Sequence, residues 1–285
     1  MLPLTLTAEQ KFQEGSPDEA AQIIQKLIDE FIPTEAKEDR GWYLQETAIY
    51  TYLSSKTQAN ELQVKAHKLN KLLLRPKSGM KFEKLVGQKR IENIKAWLRN
   101  FENNEAMLLA VEEIAGNLKF GVSANDFEEA FDRLGIALGF GTQRPDKEWK
   151  EGPDNLWAVR DGEYLLADCK SEVELSRLEI YKTESGQMNN ACAWFKNKYS
   201  NAKVTNLLII PTKTISKAAG FNEPVGILRK SNLKKLVHNF KSFFSEFKNV
   251  DLHDISDDKV QEFLKTHGLS VHELLGNYSE TPKHA

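Results

Sequence analysis

Apolar positions in the first part of the chain recur at helical spacing. Ser16-Pro17-Asp18 reads as an N-cap with proline at the first helical position. It opens a run in which Ala20, Ile23, Ile24, Leu27, Ile28 and Phe31 share a face, and Pro33 ends it. Two more helical runs span Thr34 to Leu53 and Gln58 to Leu74, before Pro76 and Gly79 break the pattern. Paired short helices of this kind are similar to units of a helical-repeat hairpin, but no repeat period is visible, so residues 1–78 are expected to form an all-α packing module. A long amphipathic helix is predicted from Phe82 to Asn103, with Ile91, Ile94, Trp97, Leu98 and Phe101 on one face. Another follows from Glu105 to Leu118. A third, capped by Asn125 or Asp126, runs from Phe127 to Leu138 and is closed by Gly139.

The texture changes at Gly139. Asn155 to Val159 and Tyr164 to Cys169 read as strands around the turn signal Asp161-Gly162. A helix is expected from Ser185 to Tyr199 and a buried strand over Val204 to Ile210. From Val225 the chain reads as helical and basic, then acidic from Asp251 to Asp258, with a loose tail after Tyr278. The expected organisation is a helical module at 1–78, connecting helices at 79–120, an α/β domain at 121–250, and a small helical segment with tail at 251–285.

Composition narrows the function classes. The 285 residues are 40% hydrophobic and 28% charged, ordinary for a globular chain with a real core. A net charge of −2 means that any nucleic-acid role needs local positive clusters. No stretch approaches the roughly 18 apolar residues of a membrane span, and the first seven residues lack the features of a secretory signal. The two cysteines, Cys169 and Cys192, form neither a CxxC pair nor zinc spacing, so free thiols and a cytoplasmic setting are expected. The histidines are scattered and give no metal pair.

The candidate chemistry is Pro153-Asp154 followed by Asp168-Cys169-Lys170. Two carboxylates offer the hard oxygen ligands that Mg²⁺ prefers, and a bound metal polarises a phosphate and activates water. A lysine beside them can orient that water or offset charge on the transition state. The tripeptide alone is weak, because Glu35-Ala-Lys37, Glu148-Trp-Lys150, Glu246-Phe-Lys248 and Asp257-Asp-Lys259 also occur. Only Asp168-Cys-Lys170 closes an apolar strand, and only Pro153-Asp154 opens one. A two-residue loop would set Asp154 against Cys169, on the wrong side of the sheet. A three-residue loop, Arg160-Asp161-Gly162, with glycine in the left-handed position of a type I turn plus bulge, would pair Val159 with Glu163 and Asp154 with Asp168. Lys170 would then share their face. The three-residue loop is therefore predicted.

A helix bearing glutamate, then Pro-Asp, an Asp-x-Lys strand, a helix and a buried strand resembles the PD-(D/E)xK nuclease family over Phe127 to Thr212. Phe127-Glu128, Leu134 and Gly139-Phe140 look like the Phe-Glu helix of the Mrr-type restriction enzymes. The resemblance implies a restriction-endonuclease-like αβββαβ core with a mixed sheet and a Mg²⁺ cofactor, with Mn²⁺ able to substitute. It also implies metal ligation by Asp154, Asp168 and the Cys169 carbonyl, and Lys170 as the residue that positions water. Glu128 would be an auxiliary ligand or water-shell residue, with Glu129 as the competing choice. Gln187 resembles the glutamine that contacts phosphate or lysine in several such families. The block from Gly41-Trp42-Tyr43 to Asn70-Lys71, and the stretch Gln143 to Trp157, are similar to C-terminal regions of bacterial DEAD/DEAH-type helicase proteins, some linked to phage defence. The chain has no GxxxxGK[ST] loop and so no motor of its own. It would then be part of such a helicase or act with a separate ATPase.

Arg144, Lys182, Lys196, Lys198 and Lys213 are the expected nucleic-acid contacts, made to the phosphate backbone without reading sequence. DNA is the expected substrate, and nothing in the sequence separates it from RNA. The alternative is a catalytically silent nucleic-acid- or partner-binding module of a helicase.

Overall fold

The computed structural model describes residues 2–76, 84–86 and 89–284. They fall into two units, Met1–Phe82 and Glu83–Ala285.

The first unit consists of helices α1 (Leu2–Gln13), α2 (Pro17–Phe31), α3 (Lys37–Thr51) and α4 (Lys56–Leu69). Pro17 opens α2, as the sequence indicates. The apolar stripe of α2 meets Ala8 of α1 and Tyr50 of α3 in a small core. Helix α4 stops at Leu69, short of the expected Leu74. Past it, Asn70 is extended and its side chain accepts from Leu72 N (3.0 Å), while Leu74 N is taken by Gln45 Oε1 at 2.8 Å.

The second unit begins with α5 (Arg90–Leu98), α6 (Asn104–Asn117) and α7 (Ala124–Ala137). The long helix expected from Phe82 falls partly on residues 77–83 and 87–88, outside the described residues. Its described part begins only at Arg90. Leu85 is not helical, because its N–H donates to Tyr199 Oη (3.0 Å) and its carbonyl accepts from Tyr164 Oη (2.8 Å). The cap of α7 is Ser123, whose hydroxyl accepts from Asp126 N, and not Asn125 or Asp126.

After α7 come β1 (Gly141–Gln143), α8 (Pro145–Trp149), β2 (Asn155–Arg160), β3 (Glu163–Cys169), α9 (Lys182–Lys198) and β4 (Lys203–Ile209). Then follow β5 (Thr214–Ile215), β6 (Val225–Leu228), α10 (Lys230–Ser245), α11 (Asp257–Thr266), α12 (Val271–Gly276) and β7 (Lys283–His284). The unit is mixed α/β. Its five-stranded sheet has the order β1-β2-β3-β4-β6, with β1, β2 and β3 antiparallel and β3, β4 and β6 parallel. Val225–Leu228, expected to be helical, is the edge strand β6, because it completes the ladder beside β4.

Alternation along the strands sends Trp157, Leu165, Ala167, Cys169, Leu207 and Ile209 into a core shared with α5, α6, α7 and α10. Trp157 stacks on Phe131 of α7 with ring centroids 4.4 Å apart, and Phe140 stacks on Trp157 at 5.7 Å. Each such pair adds about 0.5–1.5 kcal/mol beyond area burial. The opposite face, with Tyr164 and Leu166, is covered by Met188, Ala191, Cys192 and Phe195 of α9.

Two expectations about organisation change. Ile94, Met107 and Val111 from the supposed connecting helices, and Val260 and Leu264 from the supposed C-terminal segment, belong to the same core as the sheet. The tail is docked as well. Glu280 bridges to Ile227 of β6, β7 pairs with β5, and the Glu280 carboxylate takes Arg229 Nε (2.8 Å) and Lys213 Nζ (2.5 Å).

The β2–β3 hairpin also differs from expectation. Arg160 pairs with Glu163 around the two-residue turn Asp161-Gly162, with Gly162 at φ +66°. The register then shifts between Ala158 and Arg160, so Val159 is a bulge. From Ala158↔Tyr164 to Asn155↔Ala167 the pairing is the one the three-residue loop would have given. Continued by one step, it sets Asp154 against Asp168. The extra residue sits in the strand instead of the turn.

Candidate active site

Asp154 enters β2, while Asp168 and Lys170 stand at the end of β3, on the face that α9 covers. The backbone before Asp154 is sharply turned. Gly152 has φ +89°, and a Cβ there would lie 2.7 Å from the Trp194 ring, so both conformation and space demand glycine. Asp146 N donates to Pro153 O at 3.1 Å, tying α8 to this turn.

Asp154, Asp168 and Lys170 converge. Lys170 Nζ lies 3.2 Å from Asp168 Oδ2 and 3.8 Å from Asp154 Oδ2. The Cys169 N–H donates to Asp154 Oδ2 at 2.6 Å. Asp168 Oδ2 is sealed from solvent, and Lys170 approaches it outside hydrogen-bond geometry, leaving a buried carboxylate oxygen without a hydrogen bond. Burial raises the Asp168 pKa far above the carboxylate range, and the charge of Asp154 adds to this against the pull of Lys170. Burial opposes the charge on Lys170, yet Asp168 and Asp154 outweigh it and raise its pKa, so the ammonium persists. Burial also pushes the Cys169 thiol well up, with Asp154, Glu128 and Asp168 adding to it, so this cysteine is no thiolate nucleophile.

Glu128 of α7 reaches the same region, which favours it over the more exposed Glu129. Its pKa is raised by burial and by Asp154, and lowered by Arg144 and Lys170. Arg144, expected to contact nucleic acid, is buried and donates from Nη2 to Glu128 Oε2 at 2.6 Å. Glu148, expected in a polar loop, is a buried residue of α8.

Other expected residues stay apart from this centre. Gln187 is exposed on α9, and no described hydrogen bond or ion pair ties it to Asp168 or Lys170. Lys182 and Lys198 are exposed, whereas Lys196 pairs with Glu223 and Lys213 with Glu280. The sequence reading missed Asn155. This fully buried amide donates from Nδ2 to the Glu128 carbonyl at 3.0 Å and accepts from Cys169 Sγ at 3.6 Å. An asparagine at an inward position of an apolar strand is the signal that could have revealed it.

Among the described residues no group of three or more His, Cys, Asp or Glu side chains is arranged to hold a metal ion. The donor set therefore does not suit a closed zinc or calcium cage. An ion that keeps several waters and takes only one or two carboxylates, as Mg²⁺ does, needs no such cluster. Asp168 Oδ2, buried beside the Lys170 ammonium, and Asp154 Oδ2 are the carboxylate oxygens brought together here. Among the described residues, no helix is long and apolar enough to cross a membrane. No protein-family model matches this chain, and no curated protein matches it.

Proposed function

We propose that the Glu83–Ala285 unit is a metal-dependent nuclease of the PD-(D/E)xK, restriction-endonuclease-like type that hydrolyses phosphodiester bonds in DNA. The observation that carries this reading is the meeting of Asp154, Asp168 and Lys170 at adjacent strand ends. The order α7-β1-α8-β2-β3-α9-β4 supports it, since with the five-residue α8 set aside it runs αβββαβ, as the family core does. Asp154, Asp168 and the Cys169 carbonyl would hold Mg²⁺, with Glu128 acting directly or through a water. The ion would supply a polarised phosphate and an activated water. Lys170 keeps its proton between two carboxylates and offers positive charge to the phosphate or a hydrogen bond that orients the attacking water. Asp154 is fixed for its part by the Cys169 N–H.

A second reading, a catalytically silent binding module of a helicase-type partner, gains from the ion pairs that engage Lys196 and Lys213. These leave less free positive surface than the sequence suggests. Plasmid and single-stranded DNA, incubated with Mg²⁺ or Mn²⁺ and with EDTA, separate the two readings. Metal-dependent cleavage by the wild type and its loss in Asp168→Ala are expected. Absence of cleavage, alone and with an added helicase motor, would favour the silent module.

A further inference from the structure

We propose that Arg144 is a positioning residue that acts through Glu128 and not a contact to the substrate backbone, an inference that rests on the nuclease reading above. A phosphate-binding arginine presents its guanidinium to solvent. Arg144 is instead only 7% exposed, at the start of α8. Its Nη2 holds Glu128 Oε2 at 2.6 Å, while Nη1 stands 4.0 Å from Glu129. Its Nε is sealed from solvent and donates to nothing. The grip is therefore single-ended. It takes one oxygen of Glu128 and leaves the other outside the pair.

Glu128 is held a second time. Asn155, the residue after Asp154, donates to the Glu128 carbonyl, and its own carbonyl oxygen accepts from Cys169, the residue after Asp168. The Glu128 carbonyl is thus tied to the segments that carry the two aspartates, while its carboxylate is held by Arg144. A buried Arg–Glu pair is a poor stability device, because desolvating both ions costs about what their attraction returns. What the pair does supply is a fixed direction and a compensating charge for a carboxylate beside Asp154. Outer partners of metal-site carboxylates act in this way, and their removal typically weakens metal binding by about 10–100-fold.

The test is Mn²⁺ binding by the full chain, read by electron paramagnetic resonance, for wild type, Glu128→Gln, Arg144→Gln, Arg144→Lys and the double variant Arg144→Gln/Glu128→Gln. Glu128→Gln and Arg144→Gln should each weaken binding by about ten-fold. The double variant should be no weaker than Glu128→Gln, and Arg144→Lys should recover part of the loss. In cleavage assays Arg144→Gln should lower kcat and leave KM for DNA unchanged. Unaltered Mn²⁺ binding in Arg144→Gln with a raised KM for DNA would overturn the proposal. So would a double variant weaker than Glu128→Gln. The comparison of the double variant with Glu128→Gln decides the matter even if Arg144→Gln alone does not fold, since Glu128 carries no charge left to compensate in it. A wild type that binds Mn²⁺ but cuts nothing, alone and with an added helicase motor, would refute the nuclease reading and leave this test standing, whereas a wild type without Mn²⁺ binding would overturn both.

Discussion

Asp132, half-buried on α7, gives the fold a pH dependence that a single substitution should remove. Its Oδ1 is sealed from solvent and has no hydrogen-bond partner. Burial raises its pKa from 3.8 to about 6, opposed by a hydrogen bond from Thr142 and the charge of Arg144 and assisted by Glu148 and Glu129. For an acid, a raised pKa in the folded state means that folding binds protons between the two values. The stabilising effect of the protonated form is complete below 3.8 and is lost as pH climbs through about 6. A rise of roughly two pH units corresponds to ~3 kcal/mol. Asp132→Asn cannot ionise, so its stability relative to wild type should improve by up to that amount between about pH 4 and pH 8. Carboxylates remote from Asp132 titrate alike in both proteins and cancel in the difference. Urea unfolding across this range reads the quantity, followed by the fluorescence of tryptophans such as Trp157, which stacks on Phe131. A difference that stays flat with pH would refute the reasoning, because the buried charge would then be costing nothing.

Other perturbations bear on the site and on the frame around it. Lys170→Ala should abolish cleavage and leave DNA affinity, measured by fluorescence anisotropy, within a few-fold of wild type; equal loss of both would contradict the role given to the ammonium. Gly152→Ala forces a Cβ to 2.7 Å from the Trp194 ring at φ +89° and should destabilise by roughly 1–3 kcal/mol in thermal unfolding. A melting temperature equal to wild type would show that the turn has another way to seat Asp154. Truncation after Tyr278 removes Glu280 from Arg229 and Lys213, so amide exchange along β6 should accelerate, whereas unchanged protection would mean that the tail adds nothing to that edge.

Much of this arrangement was legible in the sequence, unevenly and for physical reasons. Helix periodicity placed α2, α6 and α7 well, because each has one wet and one dry face. The candidate triad was legible because Asp168 and Lys170 end an apolar strand and Asp154 begins another. The register was inferred correctly but from the wrong device, since composition cannot say whether a hairpin stores its odd residue in the turn or at Val159. Arg144 looked like an exposed loop cation because its partner Glu128 lies sixteen positions earlier on a different element. The same distance effect hid the docking of the tail, where Glu280 meets Arg229 and Lys213 only after the sheet has formed. Strand β6 was invisible because four residues, Val225–Leu228, are too few to show a period.

The bulge at Val159 gives the hairpin two ladders to choose from. A regular ladder, zipped from Asp161-Gly162 without a bulge, would set Asp154 against Cys169 and turn it to the face of Trp157. The two differ by one residue, and the turn itself is the same in both. What selects the bulged ladder is the seating of Trp157 against Phe131 and Phe140 and of Asn155 against Glu128, since a slip by one exchanges the faces of every upstream side chain. The alignment of the three charged residues is thus a property of how α7 rests on the sheet. A synthetic peptide comprising the hairpin alone would carry the whole motif and have no reason to assemble it.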